Sequence, residues 1–328
     1  MELALPWKFE VASFVVLTLI LIADLLLVVK RPHIPSMRES SLWVGFYVSL
    51  ALIFAALMWQ FAGKEYAGQF VAGWLTEYSL SIDNLFVFVL LMAQFRVPRQ
   101  YQQQVLMVGI ILALVLRGIF IVLGAALIQN FSWVFYIFGA FLVYTAYHQA
   151  FPGNDDEEED LEPGVVRWAR KHINIAPDYD GAKVRTMIDG RKVWTPMLMV
   201  FIAIGFTDLI FAIDSIPAIF GITQSPFIVF TANIFALMGL RQLYFLLGGL
   251  LDRLKYLQYG IAFILAFIGV KLVLHAMSTN ELPFINGGEP LAWVPHISTW
   301  VSLGVIVASM VIATVASLAI KDKPESAA

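Results

Sequence analysis

An all-α polytopic membrane protein is the fold class that this sequence predicts, and three observations predict it. Of 328 residues, 60% are hydrophobic and 14% charged, with a mean hydropathy of +0.79. A soluble domain carries about 45–50% apolar and about 25% charged residues, so this chain cannot clothe itself in a water-compatible surface. The apolar residues also fall in repeated runs of about 18 or more, the length at which a helix crosses a bilayer. These runs are continuous rather than alternating with period two, which excludes an outer-membrane barrel. A net charge of −3 without a basic stripe excludes a nucleic-acid binder. The absence of cysteine removes disulfides, thiolate metal sites, iron–sulfur clusters and cysteine nucleophiles.

The runs predict nine spans in a single transmembrane domain, at 11–29, 41–61, 69–94, 104–128, 131–150, 196–220, 226–250, 256–277 and 298–320. The first follows Pro6, Lys8 and Glu10, contains Asp24 and has no small-residue cleavage pattern behind it, so it reads as a retained helix rather than a signal peptide. With the N-terminus outside, 16 of the 21 Lys and Arg residues fall in cytoplasmic loops and the tail, and only Lys8 and Lys64 lie outside. That bias predicts an N-out, C-in orientation. The hydrophilic segment 151–195 is then cytoplasmic and reads as a solvated linker. It opens on the acidic run Asp155 to Asp160, and partner docking is its alternative role. The loop 278–297 has Glu281, Glu289 and His296 but no ligand spacing.

Ionisable groups at bilayer depth cost several kcal/mol unless paired or hydrated. The spans hold eight: Asp24, Glu77, Asp83, Asp208 and Asp214, against Arg117, Arg241 and Lys271. They recur in order. Thr76-Glu77 followed by Ile82-Asp83-Asn84 matches Thr207-Asp208 followed by Ile213-Asp214-Ser215, offset by 131 residues. Leu116-Arg117 with Gly124 matches Leu240-Arg241 with Gly248, and Tyr136 with His148 matches Tyr259 with Lys271. The segments 69–150 and 196–277 therefore read as a repeat of three spans, with 11–29, 41–61 and 298–320 peripheral to it. Three spans per unit place the second copy in the opposite orientation. Inverted repeats around a polar midplane are an architecture of secondary transporters.

Six residues of helix rise about 9 Å and turn about 240° beyond one revolution. Glu77 and Asp83 therefore cannot both ligate one ion on an undistorted helix, whereas Glu77, Ser81 and Asn84 share a stripe. Pro217 removes a hydrogen bond at the turn that holds Asp214. A helix broken at Asp214 is the preferred reading, with an ordinary proline kink as the alternative. The expected inner site is Asp83, Asn84, Asp214 and Ser215, with Glu77 and Asp208 as gates or proton acceptors. Oxygen donors of this kind suit hard cations such as Mg²⁺, Ca²⁺ and Mn²⁺. Arg117, Arg241 and Lys271 either balance the carboxylates or snorkel to headgroups. His33, His172 and His296 read as solvated, and His148 and His275 as interfacial.

The residues Glu77-Tyr-Ser-Leu-Ser-Ile-Asp83-Asn84, Phe211-Ala-Ile-Asp214-Ser215-Ile-Pro217-Ala-Ile-Phe220, Pro226-Phe-Ile-Val, Asn233 and Gly239-Leu-Arg241-Gln-Leu-Tyr-Phe resemble the TerC/Alx family of integral membrane proteins. Tyr136-Ile-Phe-Gly-Ala-Phe and Ala23-Asp24-Leu-Leu-Leu also fit, and the resemblance covers about residues 10–320. It implies a bacterial inner-membrane protein that exports Mn²⁺, with an older association with tellurite resistance. It also implies, for some members, a part in metallation or insertion of exported proteins. Manganese comes from the resemblance, since the residues alone specify only a hard divalent cation. His148 departs from the family, which has Lys there, and an imidazole loses its charge near neutral pH.

The leading expectation is thus a secondary transporter that moves Mn²⁺ outward, coupled to protons, with no resident cofactor. The alternative is a membrane accessory factor docking the secretion machinery through 151–195. Asp83 and Asp214 lack the contexts of intramembrane aspartyl proteases, and no Walker-type loop is present, so neither an enzyme nor an ATP-driven pump is expected.

Overall fold

The computed structural model describes residues 7–30, 35–131, 133–151, 164–188, 191–247, 256–291, 293–295 and 297–319. Eleven helices form among them. In order they are α1 (Trp7–Lys30), α2 (Met37–Ala62), α3 (Lys64–Gln94), α4 (Arg99–Asn130), α5 (Val134–Ala150) and α6 (Gly164–His172). After a hairpin of β1 (Arg185–Ile188) and β2 (Arg191–Trp194) come α7 (Pro196–Phe220), α8 (Pro226–Leu237), α9 (Leu240–Leu247), α10 (Leu257–Ser278) and α11 (Thr299–Ala319).

Seven stretches of helix among the described residues are long and apolar enough to cross a membrane, fewer than the nine expected. Both remaining segments still form helices. α5 has 17 residues, which at about 1.5 Å per residue falls just short of a hydrocarbon core of about 30 Å. α1 has 24 residues, and the side chains of several of its last residues lie outside the described residues.

Helix ends follow local chemistry. Ser36 caps α2 by accepting from the Glu39 amide at 3.2 Å. Pro196 and Pro226 open α7 and α8, where a missing N–H costs nothing. α5 and α10 cross backbone to backbone, because a Cβ on Gly139 would stand 2.7 Å from the Gly269 carbonyl oxygen. Small residues let membrane helices approach this closely.

Two expectations need correction. α7 is not broken at Asp214; it runs unbroken to Phe220 with Pro217 inside its last turn. There the proline removes a single hydrogen bond close to an end that frays in any case. The break lies instead in the span expected at 226–250. α8 stops at Met238, whose backbone is extended, Gly239 takes a φ of +85°, and α9 starts afresh. A left-handed φ is the conformation glycine adopts without a Cβ penalty. The second correction is the hairpin inside 164–195, which pairs Arg185 with Trp194 through Ile188 with Arg191. Asp189-Gly190 between two β-prone runs was the legible signal. The segment leading into the hairpin is tied to the membrane helices: the Tyr179 hydroxyl donates to the Phe95 carbonyl at the end of α3, at 2.6 Å. Burial raises the Tyr179 phenol to about 12.

Candidate functional site: a charged layer between two apolar clusters

α3, α4, α7 and α8 each pass from one apolar cluster to another. One cluster holds Ile121, Ala212 and Val229, and the other holds Ala113, Ile204 and Leu237. Residues four apart stack on one helix face. On that face, midway between the members of each pair, lie Arg117 on α4, Asp208 on α7 and Asn233 on α8. α3 supplies Glu77, Ser81 and Asn84 at the same boundary, and all six are buried. Asp208 has twelve residues of α7 on either side, so the layer crosses near mid-helix.

Arg117 organises this layer. Its guanidinium donates from Nη1 to Glu77 Oε2 at 2.6 Å and from Nη2 to Asp208 Oδ1 at 3.2 Å. Relative exposures of 1% for Arg117 and 0% for Glu77 leave no route for either group to snorkel to a headgroup. The Asn84 amide satisfies both its ends when its nitrogen donates to the Leu80 carbonyl (3.0 Å) and its oxygen accepts from Arg117 Nη2 (3.2 Å). Ser215 lies close enough to Glu77 to interact with its carboxyl, without a hydrogen bond of normal geometry.

Several buried atoms in this layer have no hydrogen-bond partner among the described residues: Glu77 Oε1, Ser81 Oγ, Asp208 Oδ2, Ser215 Oγ, Arg117 Nε and both amide atoms of Asn233. Five of these are acceptor oxygens. Orphaned buried polar atoms are rare in folded proteins and mark a ligand, ordered water or a functional site. Two carboxyl groups share one guanidinium in the described part of the layer, so a second positive charge, as cation or proton, balances the pair when both are ionised. Hard cations prefer oxygen donors of this kind. No cluster of three or more Asp, Glu, His or Cys able to hold a metal forms among the described residues. The side chains of Asp83 and Asp214, the expected core of the ion site, lie outside the described residues.

The remaining candidates go elsewhere. Arg241 donates to Asp24 Oδ1 at 2.9 Å, and the Tyr47 hydroxyl donates to the same oxygen at 2.7 Å. The two arginines that follow matching sequence motifs take different partners: Arg117 joins Glu77 to Asp208, while Arg241 reaches α1. The physical cause is the break at Gly239. Its counterpart is Val115, a β-branched residue that cannot adopt a positive φ cheaply, so α4 continues where α8 stops. Tyr47 carried no signal in the sequence. Lys271 donates to Ser302 on α11 at 3.0 Å. His148 is exposed and rests on Tyr144. His275 meets Gln224 at 3.0 Å, and His172 bonds the Trp168 carbonyl. His33 and His296 lie outside the described residues.

Comparison with known proteins places this architecture. The chain is 46% identical over 309 residues to an uncharacterized membrane protein of Mycobacterium tuberculosis, covering 92% of this chain and 78% of the relative. It is 41% identical over 264 residues to an uncharacterized membrane protein of Myxococcus xanthus, covering 80% and 82%. It is 41% identical over 269 residues to the Escherichia coli protein named "Putative membrane-bound redox modulator Alx", covering 79% and 84%. No solved structure matches the chain. The profile described as "Integral membrane protein TerC family" matches residues 62–325. That match takes in the whole charged layer, and the chain belongs to the TerC family of integral membrane proteins.

Proposed function

We infer that this chain is a secondary transporter that exports a hard divalent cation, Mn²⁺ by the family resemblance, from the bacterial cytoplasm across the inner membrane. One observation carries the reading. Two buried carboxylates, Glu77 and Asp208, share a single guanidinium and keep one oxygen each without a partner. A structural ion pair leaves no such surplus, because unpaired buried charge is costly. An arriving cation competes with Arg117 for both carboxylates, with Ser81, Ser215 and Asn233 completing an oxygen shell. Asp83 and Asp214, six residues on from Glu77 and Asp208, add the charge that a divalent ion requires. Protons returning to the same carboxylates couple inward proton flow to cation release.

The topology that goes with this reading has nine spans, α1 and α5 included, with an external N-terminus, a cytoplasmic 151–195 and an inverted repeat of three helices. Single cysteines in this cysteine-free chain test it. Asn154→Cys is expected to resist an impermeant thiol reagent in intact cells and Gly287→Cys to react; the reverse pattern overturns the topology. For the function, reconstituted vesicles are loaded with Mn²⁺ and efflux is followed with and without a pH gradient. Flux that depends on Asp83 and Asp214, each replaced by Asn, supports the reading, and parent-like flux in both variants removes it.

A second reading, an accessory factor for metallation or insertion of exported proteins, is favoured by large apolar side chains exposed within 164–195, Met187 on β1 at 64% and Trp168 on α6 at 60%. It predicts flux only when a partner protein is added. The redox name of the Escherichia coli relative does not extend to thiol exchange in this chain, which has no cysteine.

A further inference from the structure

A cavity of about 430 Å³ opens at the end of the molecule away from the hairpin, between the start of α3, the ends of α7 and α10 and the start of α11. Its walls carry Glu65, Gln69, Thr223, Gln224, Lys271 and His275. These polar side chains, set among apolar ones such as Phe220, Ile222 and Leu272, offer hydrogen-bond partners to an entering water. From its floor two helix faces descend side by side toward the charged layer. On α3, Gln69, Gly73 and Glu77 follow at intervals of four, and on the α7 side Thr223, Ile219 and Ser215 do the same. They meet rung by rung. The Thr223 hydroxyl donates to Gln69 Oε1 at 2.6 Å. A Cβ built on Gly73 would lie 3.8 Å from Ile219 Cγ2. Ser215 sits beside Glu77. Polar, apolar and polar rungs thus succeed one another over about 12 Å of helix rise.

We propose that this cavity is the aqueous vestibule through which a hydrated divalent cation passes to or from the charged layer, and that Ile219, seated opposite Gly73, is the plug between them. The cargo in this statement rests on the transport reading above; the plug does not. Ile219 is completely buried, and its Cγ2 lies within ordinary van der Waals reach of a Cβ built at position 73, at 3.8 Å. Glu65 and Lys271 both line the mouth, close enough to interact electrostatically.

The test uses single cysteines in sealed proteoliposomes and a charged, impermeant methanethiosulfonate reagent added from the vestibule side. Gln69→Cys is expected to react readily, and Ser215→Cys at least tenfold more slowly. Adding Ile219→Ala should raise the Ser215→Cys rate at least tenfold and leave the Gln69→Cys rate unchanged. Gly73→Ala, which meets only ordinary contacts at 3.6 and 3.8 Å, should fold and leave Ser215→Cys protected. If Ile219→Ala does not fold, Ile219→Val is expected to give a smaller rise of about threefold, scaled to the one methyl group it removes. An unreactive Gln69→Cys, a Ser215→Cys rate equal to that of Gln69→Cys, or a Ser215→Cys rate indifferent to residue 219 overturns the proposal. This labelling pattern together with absent Mn²⁺ flux overturns the transport reading and leaves the vestibule and plug standing.

Discussion

The guanidinium of Arg117 and the carboxylate of Glu77 meet at 2.6 Å with neither group open to solvent. They come from helices 40 residues apart in sequence, and the second guanidinium nitrogen reaches a third helix at Asp208. A bidentate cation between two acids fixes the mutual rotation of α3, α4 and α7, because the planar fork presents its donors in set directions. That rotation turns the partnerless oxygens of Glu77 and Asp208 into the same layer.

Removing this cation exposes the balance directly. Arg117→Ala leaves Glu77 and Asp208 buried without their shared guanidinium, and breaking a buried pair costs about 3–5 kcal/mol. We expect a clear drop in the unfolding midpoint in detergent, partly reversed by saturating Mn²⁺. Arg117→Met combined with Glu77→Gln and Asp208→Asn should recover stability without Mn²⁺, since none of the three paired groups then carries a charge. An unchanged midpoint for Arg117→Ala contradicts the pairing.

Asp208→Asn separates charge from shape. The two side chains are nearly isosteric, and Arg117 retains Glu77, so the variant should accumulate with a midpoint close to the parent. Its Mn²⁺ efflux should fall to the level of protein-free vesicles. Asn84→Ala removes a neutral group that water replaces and should reduce efflux more mildly. Comparable efflux in Asp208→Asn and parent would move the ion site away from this layer.

The helix break offers a test of backbone strain. Gly239 has a φ of +85° and a Cβ there would stand 3.1 Å from Tyr47 Cδ2, whereas Gly63 has a φ of +90° with nothing within 4 Å. Both Gly→Ala substitutions incur the left-handed penalty, about 1–3 kcal/mol. Gly239→Ala should cost more, because its methyl also displaces Tyr47 from Asp24. Thermal unfolding of the two variants side by side gives the difference, and equal losses would mean that Tyr47 yields freely.

A pH effect is expected in the hairpin. The Thr186 hydroxyl bonds Asp180 at 2.9 Å and Lys183 pairs with it, and together they hold the Asp180 carboxyl below the usual aspartate range. A depressed carboxyl stabilises the fold above its ordinary pKa of about 3.9, and the contribution is lost as pH falls through the lowered value. Solvent-accessibility footprinting of β1 should therefore be flat from pH 7 to about 5 and rise below about 4. Asp180→Asn should remove the transition, and a transition that survives it belongs to another group.

Much was legible in the sequence because the bilayer constrains it so heavily. Continuous apolar runs gave the helices to within a few residues at most boundaries, since a spanning backbone must satisfy its own hydrogen bonds. Ionisable residues within those runs gave Glu77, Arg117 and Asp208, because hydrocarbon tolerates charge only where it is paired or used. Asp189-Gly190 contained a hairpin that hydropathy alone concealed. Pro217 pointed to a break in α7 that did not form, because the ring sits in the final turn, where little of the hydrogen-bond ladder remains to be lost.

Partner choice, by contrast, was decided by tertiary structure. The pattern of matched motifs makes Arg117 and Arg241 look interchangeable, yet one lies in the central layer and the other bonds a peripheral helix. One glycine at 239, opposite a valine at 115, ends α8 and redirects the backbone, and Tyr47 of α2 packs against the opening. Periodicity records which face of a helix is polar, since that follows from local geometry alone. It does not record which distant helix meets that face, because the answer depends on the directions of all neighbouring helices together. Sequence determined that carboxylates and guanidiniums would be buried in this membrane protein; packing determined that Glu77 and Asp208 would share one cation.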